Sequence, residues 1–415
     1  MDWKSRRPSD APVSPPAADS LEELAELAAG AGAAVVARIL QTRQAPEAAT
    51  LIGQGKVREV AQLRAALDAE LVIFDRDLTP TQQRNLEKEL HARVIDRTQL
   101  ILDIFAARAR TREGRLQVEL AQLNYMLPRL AGRGVEMSRL GGGIGTRGPG
   151  ETQLETDRRR IHRRIRKIEQ DLENVRAGRA LHRRKRQSVP LPTIALVGYT
   201  NAGKSTLFNR ITDAGVLADA RMFATLDPTV RPITLPSRRR ALLSDTVGFI
   251  GNLPTTLVRA FRATLEEVRE ATLILHIVDA AAPHAAAQTT QVLKVLSEID
   301  AAAIPQLLVL NKVDRLPENA CDVEAARRRL LGQQPAPAVA ISALTGQGIP
   351  DLLDAIDQVL PFDPIVRTRL RLPLSDGAGI AMLHDLGRVL ETRYSGDTCE
   401  MEVEIPASLR RRLGV

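Results

Sequence analysis

The chain has 415 residues, of which 58 are lysine or arginine and 50 are aspartate or glutamate, so its formal net charge is +8. That length exceeds what one hydrophobic core accommodates, and several domains are expected. The positive balance favours a polyanionic partner over an acidic substrate pocket, and with only 3% aromatic residues such binding should depend on charge and shape rather than on base stacking.

The amino-terminal part predicts a tail followed by a small α/β unit. Residues 1–20 are rich in Pro, Ala and Ser and lack an apolar core, which predicts a disordered tail and no signal peptide. Within residues 21–105, a strand at Leu71–Phe74 precedes a helix that Thr79 caps and Pro80 opens, and residues 92–96 form the next strand. This order of strand, helix and strand predicts a parallel pair.

The spacing of the cysteines and the length of the apolar runs indicate the cellular compartment. Cys321 and Cys399 show neither disulfide nor zinc spacing, which fits a reducing environment. No apolar run approaches the roughly 18 residues that a membrane-spanning helix needs. A cytoplasmic protein without a membrane span is therefore expected. A monomer is a separate expectation.

Residues 106–190 predict an antiparallel helical hairpin. Apolar residues at a 4-3-4-3 spacing mark two helices that pack along one seam. They are Leu116, Leu120, Leu123, Leu127 and Leu130 in the first helix, and Ile161, Ile165, Ile168, Leu172 and Val175 in the second. The glycine-rich residues 140–150 between them cannot be helical and form the tip, and Pro128 is expected to kink or end the first helix.

Positive charge concentrates in this hairpin. Residues 106–190 hold 21 lysines and arginines against 9 acidic residues, so the rest of the chain is net acidic. The densest clusters are residues 158–160, 163–164 and 183–186. A charge run is often only a solvated helix face, but this imbalance beside a flexible tip favours a surface that contacts a phosphate backbone.

Residues 191–362 predict an α/β domain with a doubly wound, mostly parallel sheet, whose ligand sites lie at the carboxyl ends of the strands. Apolar strands are expected at residues 193–197, 241–244, 273–278, 306–310 and 338–341. Residues 363–415 predict a small α/β appendage, with a helix at 379–390 and a strand at 400–405.

The turn after the first of these strands matches the phosphate-binding pattern Gly, four residues, Gly-Lys-Ser. It comprises Gly198, Tyr199, Thr200, Asn201, Ala202, Gly203, Lys204 and Ser205, with Thr206 next in the helix. Backbone N–H groups and the helix N-terminus would surround the phosphates. Lys204 would reach the β- and γ-phosphates, and the Ser205 hydroxyl would ligate Mg²⁺.

Two further segments predict the rest of the metal and γ-phosphate site. Asp245 follows the strand at 241–244, where it would hold Mg²⁺ through water, and the Gly248 amide could sense the γ-phosphate. Either Thr225 or Thr229 could complete the Mg²⁺ shell from the loop at 222–229. The remaining residues assigned to this site are Thr246 and Val247, and Phe223, Ala224, Leu226 and Asp227.

The base-recognition motif Asn-Lys-Val-Asp directly follows the strand at 306–310. Its final carboxylate can accept hydrogen bonds from guanine N1–H and the 2-amino group, which adenine lacks in that arrangement, so the site is expected to select GTP. A backbone amide after the last strand could donate to guanine O6. These residues are Asn311, Lys312, Val313 and Asp314, followed by Ser342, Ala343 and Leu344.

The ordered set of motifs resembles the translation-factor class of P-loop GTPases. Residues 223–227 (Phe-Ala-Thr-Leu-Asp), 245–250 (Asp-Thr-Val-Gly-Phe-Ile) and the loop at 140–153 resemble the HflX family, and the resemblance covers nearly the whole chain. It implies a Mg²⁺-dependent GTPase that forms GDP and phosphate, associates with RNA of the large ribosomal subunit and rescues stalled ribosomes. It also implies Thr225 as the Mg²⁺ threonine beside Ser205 and Asp245, so Lys204, Thr225 and Gly248 are the expected catalytic groups.

The sequence also leaves other hypotheses open. Phe249 and Ile250 stand where Ras-like enzymes carry the glutamine that orients the attacking water, so slow intrinsic hydrolysis that needs a partner is one hypothesis. Another is a nucleotide-switched RNA-binding assembly factor or chaperone, in which hydrolysis is incidental. ATP use by the amino-terminal unit through Gly-Gln-Gly-Lys at 53–56 is disfavoured, because that run is too short and lacks the following hydroxyl.

Overall fold

The computed structural model describes most of the chain. The described residues are 2–3, 17–130, 149–186, 191–212, 223, 228–251, 267–317, 323–332, 336–360 and 364–412. The predicted loop residues 140–148 and Ala224, Thr225, Leu226 and Asp227 lie outside these ranges. No helix within them combines the length and the apolar character that crossing a lipid bilayer requires.

The amino-terminal unit is built on the parallel pair that the sequence predicts, β3 (Leu71–Phe74) with β4 (Arg93–Asp96). Between them, α3 (Pro80–Leu90) starts with a capping box, in which the side chains of Thr79 and Gln82 each accept a hydrogen bond from the other's backbone N–H. The other elements of the unit are β1 (Asp2–Trp3), α1 (Ala17–Gly30), β2 (Thr42–Arg43), α2 (Gln54–Ala66) and α4 (Arg97–Arg108).

The first helix corrects the boundary predicted for the tail. Residues 17–20 are helical rather than disordered, because α1 begins at Ala17. Leu24, Leu27 and Ala28 form a buried face at helical spacing, and this burial stabilises the helix. Residues 2–3 pair in parallel with residues 42–43, so they too lie in regular structure.

Residues 53–56 do not form a phosphate loop. Gly53 is the N-cap of α2, so the helix begins within the run, and Lys56 forms an ion pair with Glu59 at 2.7 Å on the same helix. Lys56 also borders a largely apolar cavity of about 560 Å³ between α1, residues 33–41, α2 and β3. None of the predicted nucleotide-site residues lines that cavity.

The hairpin consists of α5 (Arg112–Leu130) and α6 (Pro149–Arg186). Leu116 of α5 belongs to one buried cluster with Ile168 and Leu172 of α6. Arg164 donates two hydrogen bonds, of 2.6 and 2.7 Å, to Glu119. Residues further along α5 thus meet residues earlier in α6, which is the predicted antiparallel arrangement.

Pro128 lies inside the last turn of α5, whose described residues end at Leu130, and one boundary of the hairpin differs from the prediction. The second helix begins at Pro149, so residues 149–150 are helical rather than part of the glycine-rich tip. Proline fits the first turn of a helix because its missing N–H would have no partner there.

A six-stranded sheet forms the core of the next domain, in the order β10-β9-β8-β5-β7-β6. All pairings are parallel except that of the edge strand β6 with β7, and β6 was not predicted. The strands are β5 (Thr193–Gly198), β6 (Thr229–Thr234), β7 (Arg240–Asp245), β8 (Leu273–Asp279), β9 (Gln306–Asn311) and β10 (Ala338–Ala340).

Helices cover both faces of this sheet. Along β5, Ile194 and Leu196 enter one buried cluster, whereas Ala195 and Val197 enter another, so alternate side chains point to opposite apolar layers. The described helices of the domain are α7 (Lys204–Thr212), α8 (Ala285–Glu298), α9 (Val323–Leu331) and α10 (Ile349–Val359). The fold is therefore the predicted doubly wound α/β domain.

The carboxyl-terminal unit is a three-stranded antiparallel sheet in the order β11-β13-β12. It contains β11 (Ile365–Pro373), α11 (Gly377–Leu386), β12 (Arg388–Ser395), β13 (Thr398–Pro406) and α12 (Ala407–Arg412). The helix predicted to reach residue 390 ends at Leu386. A β-carbon on Gly387 would lie 2.5 Å from the Ile405 side chain, so the chain passes close against β13 there and enters β12.

Candidate functional site

The loop between β5 and α7 has the backbone shape of a phosphate-binding turn. Asn201 and Gly203 adopt positive φ angles of 61° and 97°. A β-carbon on Gly203 would lie 2.2 Å from Asn311 Nδ2, so only glycine fits. Such a turn directs backbone N–H groups into a concavity for anions, and α7 begins at Lys204, which adds the positive end of a helix dipole.

Lys204 is the buried cation of this loop. Its ammonium group donates to the carbonyl oxygens of Gly198 at 3.1 Å and Tyr199 at 2.7 Å. An ammonium group has three N–H donors, so one remains for a phosphate oxygen. Burial lowers the pKa of Lys204 to about 8, an effect that Asp245 opposes and Lys312 reinforces.

Ser205 and Asp245 meet where the carboxyl end of β7 approaches the start of α7. The Ser205 hydroxyl donates to Asp245 Oδ2 at 2.8 Å, and the Asp245 carboxylate is fully buried. Mg²⁺ prefers oxygen ligands and keeps several waters or phosphate oxygens, so this pair fits it. Among the two candidate threonines, Thr229 stands opposite Asp245 in the β6–β7 register, and Thr225 lies outside the described residues.

The segment after β7 lies directly against the phosphate loop. A β-carbon on Gly248 would be 2.9 Å from Lys204 Nζ and 3.0 Å from Thr200, so glycine is required here. The Thr200 N–H donates to Phe249 O at 2.6 Å, and the Phe249 N–H donates to Gly198 O at 3.1 Å. These two backbone hydrogen bonds tie the segment to the phosphate loop.

The side chains of the same segment face the interior. Thr246 Oγ1 donates to Leu196 O at 2.5 Å. Val247, Phe249 and Ile250 are buried in the apolar core. The two positions after Gly248 thus present no polar side chain that could orient a water molecule, in agreement with the sequence.

Asn311 joins three segments of the predicted base site. Its Nδ2 donates to Ala202 O at 2.8 Å, and its Oδ1 accepts from the Ala343 N–H at 2.9 Å. Asp314 Oδ1 accepts from the Ser342 hydroxyl at 2.6 Å, which fixes the carboxylate that would read guanine. The Ala343 amide, one of the donors considered for guanine O6, is thus already engaged by Asn311.

Two positioning contacts at the base site were not predicted. Lys312 adopts a left-handed φ of 66° and pairs with Asp279 at the end of β8, at 2.7 Å. Arg210 of α7 donates to the carbonyl oxygens of Ala343, at 3.3 Å, and of Leu344. The position of Asp279 at the carboxyl end of a strand was a usable signal, whereas Arg210 belongs to no local motif.

Phe223 and His276 lie in the core. The Phe223 ring packs edge-to-face on Phe105 of α4, with centroids 4.6 Å apart, whereas the sequence assigned Phe223 to the nucleotide site. His276 is fully buried in β8. Burial and the charge of Lys204 lower its pKa to about 4, so His276 is neutral at physiological pH.

Family models match three consecutive parts of the chain. Residues 18–106 match the model described as GTP-binding GTPase N-terminal, and residues 108–186 match GTP-binding GTPase Middle Region. Residues 193–312, which contain the phosphate loop and the first two residues of the base motif, match 50S ribosome-binding GTPase. This order places a GTPase domain after two regions that accompany it.

Relatives described as GTPase HflX align along most of the chain. The protein from Magnetococcus marinus is 47% identical over 95% of this chain and 90% of its own length. The one from Escherichia coli K12 is 46% identical, over 95% and 92%. This chain belongs to the GTPase HflX family. The HflX relative from Alkalihalophilus pseudofirmus is 56% identical over 71% of this chain and 70% of its own length.

Solved structures similar to this HflX-family chain include a GTP-binding protein from Sulfolobus solfataricus in complex with GDP. It is 25% identical, covers 82% of this chain and 96% of its own, and gives a TM-score of 0.45. A structure titled as the SsGBP and GDP complex is 26% identical, covers 82% and 95%, and gives a TM-score of 0.48. By its family, the chain is a GTPase that binds GTP and GDP.

Proposed function

We propose that this protein is a Mg²⁺-dependent GTPase that binds RNA of the large ribosomal subunit through its basic hairpin and acts in the cytoplasm on stalled or stressed ribosomes. The proposal rests on the presence of a strongly basic hairpin and a GTP site in one chain. The catalytic domain of that chain matches the 50S ribosome-binding GTPase family. The hairpin's 21 basic residues against 9 acidic ones suit a phosphate backbone.

The residues at the carboxyl edge of the sheet have separate roles in GTP hydrolysis. Lys204 offsets charge on the β- and γ-phosphates, the loop N–H groups hold the phosphates, and the Gly248 amide contacts the γ-phosphate. Ser205, Asp245 and Thr225 would hold Mg²⁺, which would neutralise charge on the phosphates. Asp314 would select guanine, and Asn311 holds the base motif against the phosphate loop.

The partner is expected to complete the catalytic site. Phe249 and Ile250 are each 3% exposed and cannot orient the attacking water, so intrinsic turnover should be slow. Stimulation by a partner reaches roughly 10³–10⁵-fold in related enzymes. RNA contact at the hairpin would then be linked to turnover at the phosphate loop.

GTP turnover measured with intact ribosomes, with separated subunits and with neither is the direct test. We expect slow turnover alone and strong stimulation by the large subunit. Lys204→Ala should abolish turnover in all three samples, which controls for contaminating GTPases. Equal turnover with and without ribosomal particles would contradict the proposed function.

A further inference from the structure

Tyr199 of the phosphate loop joins the nucleotide site to the amino-terminal unit. Its hydroxyl accepts a hydrogen bond from the Gly251 N–H at 2.6 Å and donates one to the Glu23 carboxylate of α1. Burial and the charge of Glu23 raise the pKa of Tyr199, so its hydroxyl stays protonated and donates the hydrogen bond to Glu23. One hydroxyl thus holds both the end of the segment 245–251 and a side chain from a different unit.

A buried arginine fixes Glu23 in place. Arg97, the first residue of α4, is 2% exposed and forms ion pairs with Glu23 and, at 2.6 Å, with Asp75. Burial opposes the charge on Arg97, but the two carboxylates outweigh burial and raise its pKa. Displacing Glu23 would remove one of the two carboxylates that compensate this buried charge, so its position is constrained.

The hairpin reaches the same set of contacts. Arg129 of α5 pairs with Asp96 at 3.0 Å, and the Tyr125 hydroxyl donates to the other oxygen of Asp96 at 2.9 Å. Asp96 is the N-cap of α4 and directly precedes Arg97. Polar contacts therefore extend from the hairpin through the start of α4 to the phosphate loop.

We propose that Tyr199 is a positioning residue for the segment 245–251, and that Glu23 makes this positioning depend on the amino-terminal unit. The inference rests on the nucleotide site assigned in the proposed function. The segment is tied to the phosphate loop by the Gly251 N–H to Tyr199 and by the Thr200 N–H to Phe249 O. GTP contacts this segment through its γ-phosphate, which GDP lacks, so loss of the Tyr199 hydroxyl weakens GTP binding more than GDP binding.

The test compares affinities for a non-hydrolysable GTP analogue and for GDP in the full chain with Mg²⁺. Tyr199→Phe removes only the hydroxyl and should lower the analogue-to-GDP affinity ratio about tenfold. Glu23→Gln should lower the same ratio, and the double variant should do little more than the stronger single one, because both act on one contact. Tyr394→Phe, at an exposed position, and Glu22→Gln, on the exposed side of α1, are matched controls that should leave the ratio unchanged.

Hydrogen exchange provides a second measurement, on the amino-terminal unit itself. The analogue should slow exchange in α1 more than GDP does in the wild type, and Tyr199→Phe should remove that difference. Should Glu23→Gln fail to fold, Glu23→Asp keeps the charge with a shorter reach and is measured instead.

The outcomes separate the possible roles. Equal losses of both affinities, or a lower melting temperature with an unchanged ratio, would make Tyr199 a structural residue only and overturn the proposal. Additive effects of Tyr199→Phe and Glu23→Gln would overturn the coupling to Glu23. A wild-type protein that binds no GTP analogue would instead refute the nucleotide-site assignment.

Discussion

Lys204 is a buried side chain that destabilises the fold when charged and is expected to bind the nucleotide phosphates. Its pKa is about 8, against 10.5 for an exposed lysine, mainly because burial disfavours the ammonium form. The difference corresponds to roughly 3 kcal/mol. Because the folded-state pKa lies below the unfolded one, Lys204 destabilises the fold below pH 8, and this destabilisation is relieved as pH rises from 8 to 10.5. A bound triphosphate would favour the charged form.

We therefore predict proton uptake when GTP binds near pH 8. Because burial lowers the pKa of Lys204 to about 8, part of the side-chain population is neutral at that pH, and the phosphates should recharge it, so a fraction of a proton is taken up per GTP. Calorimetry in buffers of different ionisation enthalpy measures this number, and above pH 7.5 the phosphates themselves are already deprotonated. The uptake should disappear at pH 6.5, and affinity should fall as pH rises through 8. No uptake anywhere between pH 7.5 and 9 would contradict the assignment.

Asp314 carries the second prediction at this scale. Asp314→Asn should weaken GTP roughly 100-fold, because the amide cannot accept both guanine hydrogen bonds as the carboxylate does. The same variant should gain affinity for xanthosine triphosphate, whose 2-oxo group can accept from the new amide. Competition binding measures both, with the exposed Asp354→Asn of α10 as the control. Unchanged guanine preference would remove Asp314 from base recognition.

Among the elements, the hairpin helix α6 has exposed arginines with two different roles. Arg164 is engaged by Glu119 of α5 and holds the two helices together. Arg159 and Arg160 pair with Glu155 and Asp157 on their own helix, but all of these side chains are largely exposed. Exposed pairs contribute at most about 1 kcal/mol, so these arginines can exchange their partners for phosphates.

Replacing Arg158, Arg159 and Arg160 by Ala should weaken ribosome binding and flatten its salt dependence. Each lost phosphate contact lowers the slope of log K against log salt by roughly 0.7–0.9, so the expected change is about 2–3. Arg367, Arg369 and Arg371 of β11, replaced together, are the matched control, since they lose the same charge from another domain. A salt slope that is equal in both triple variants would identify the α6 cluster as a solvated face.

The elements that the sequence predicted well are those with a local signal. The strand at residues 71–74 and the helix that Thr79 caps were predicted because a continuous apolar run, the N-cap and Pro80 agree. The strands β11 and β12 were not predicted, although apolar and charged residues alternate along β11 as in a half-buried strand, with Arg367, Arg369 and Arg371 on its outer face. The edge strand β6 contains Pro232, which obscures a strand pattern.

The site residues that belong to local motifs were also predicted, whereas contacts between residues far apart in the sequence were not. The phosphate loop, Asp245 and Asn311–Asp314 motifs are contiguous in sequence, so their chemistry could be assigned before the fold was known. The contact of Tyr199 with Glu23 joins residues 176 positions apart, and no spacing rule identifies such a pair. Phe223 was assigned to the nucleotide because its neighbours are motif residues, whereas its ring is buried against Phe105.

At the scale of the whole molecule, the GTP site shares its surroundings with the amino-terminal unit. One apolar cluster contains Leu24 and Leu27 of α1, Phe105 of α4 and, from the GTPase domain, Phe249 and Val292. At the edge of this interface, Asp19 of α1 lies 3.0 Å from His284, at the start of α8. A change near the γ-phosphate therefore occurs beside a packed interface rather than in an isolated domain, and the hairpin is attached to that same unit.

We predict from this arrangement that the bound nucleotide controls retention on the large subunit. Binding with a non-hydrolysable GTP analogue should be roughly 10–100-fold tighter than with GDP, which is a coupling of ordinary size between two sites. Co-sedimentation at fixed salt measures the difference, with Lys204→Ala as the control that should respond to neither nucleotide. Equal retention with both would refute the coupling. The assembly-factor hypothesis predicts in addition that the analogue-locked protein remains fully functional, whereas under the proposed function it completes one round of binding and is not released.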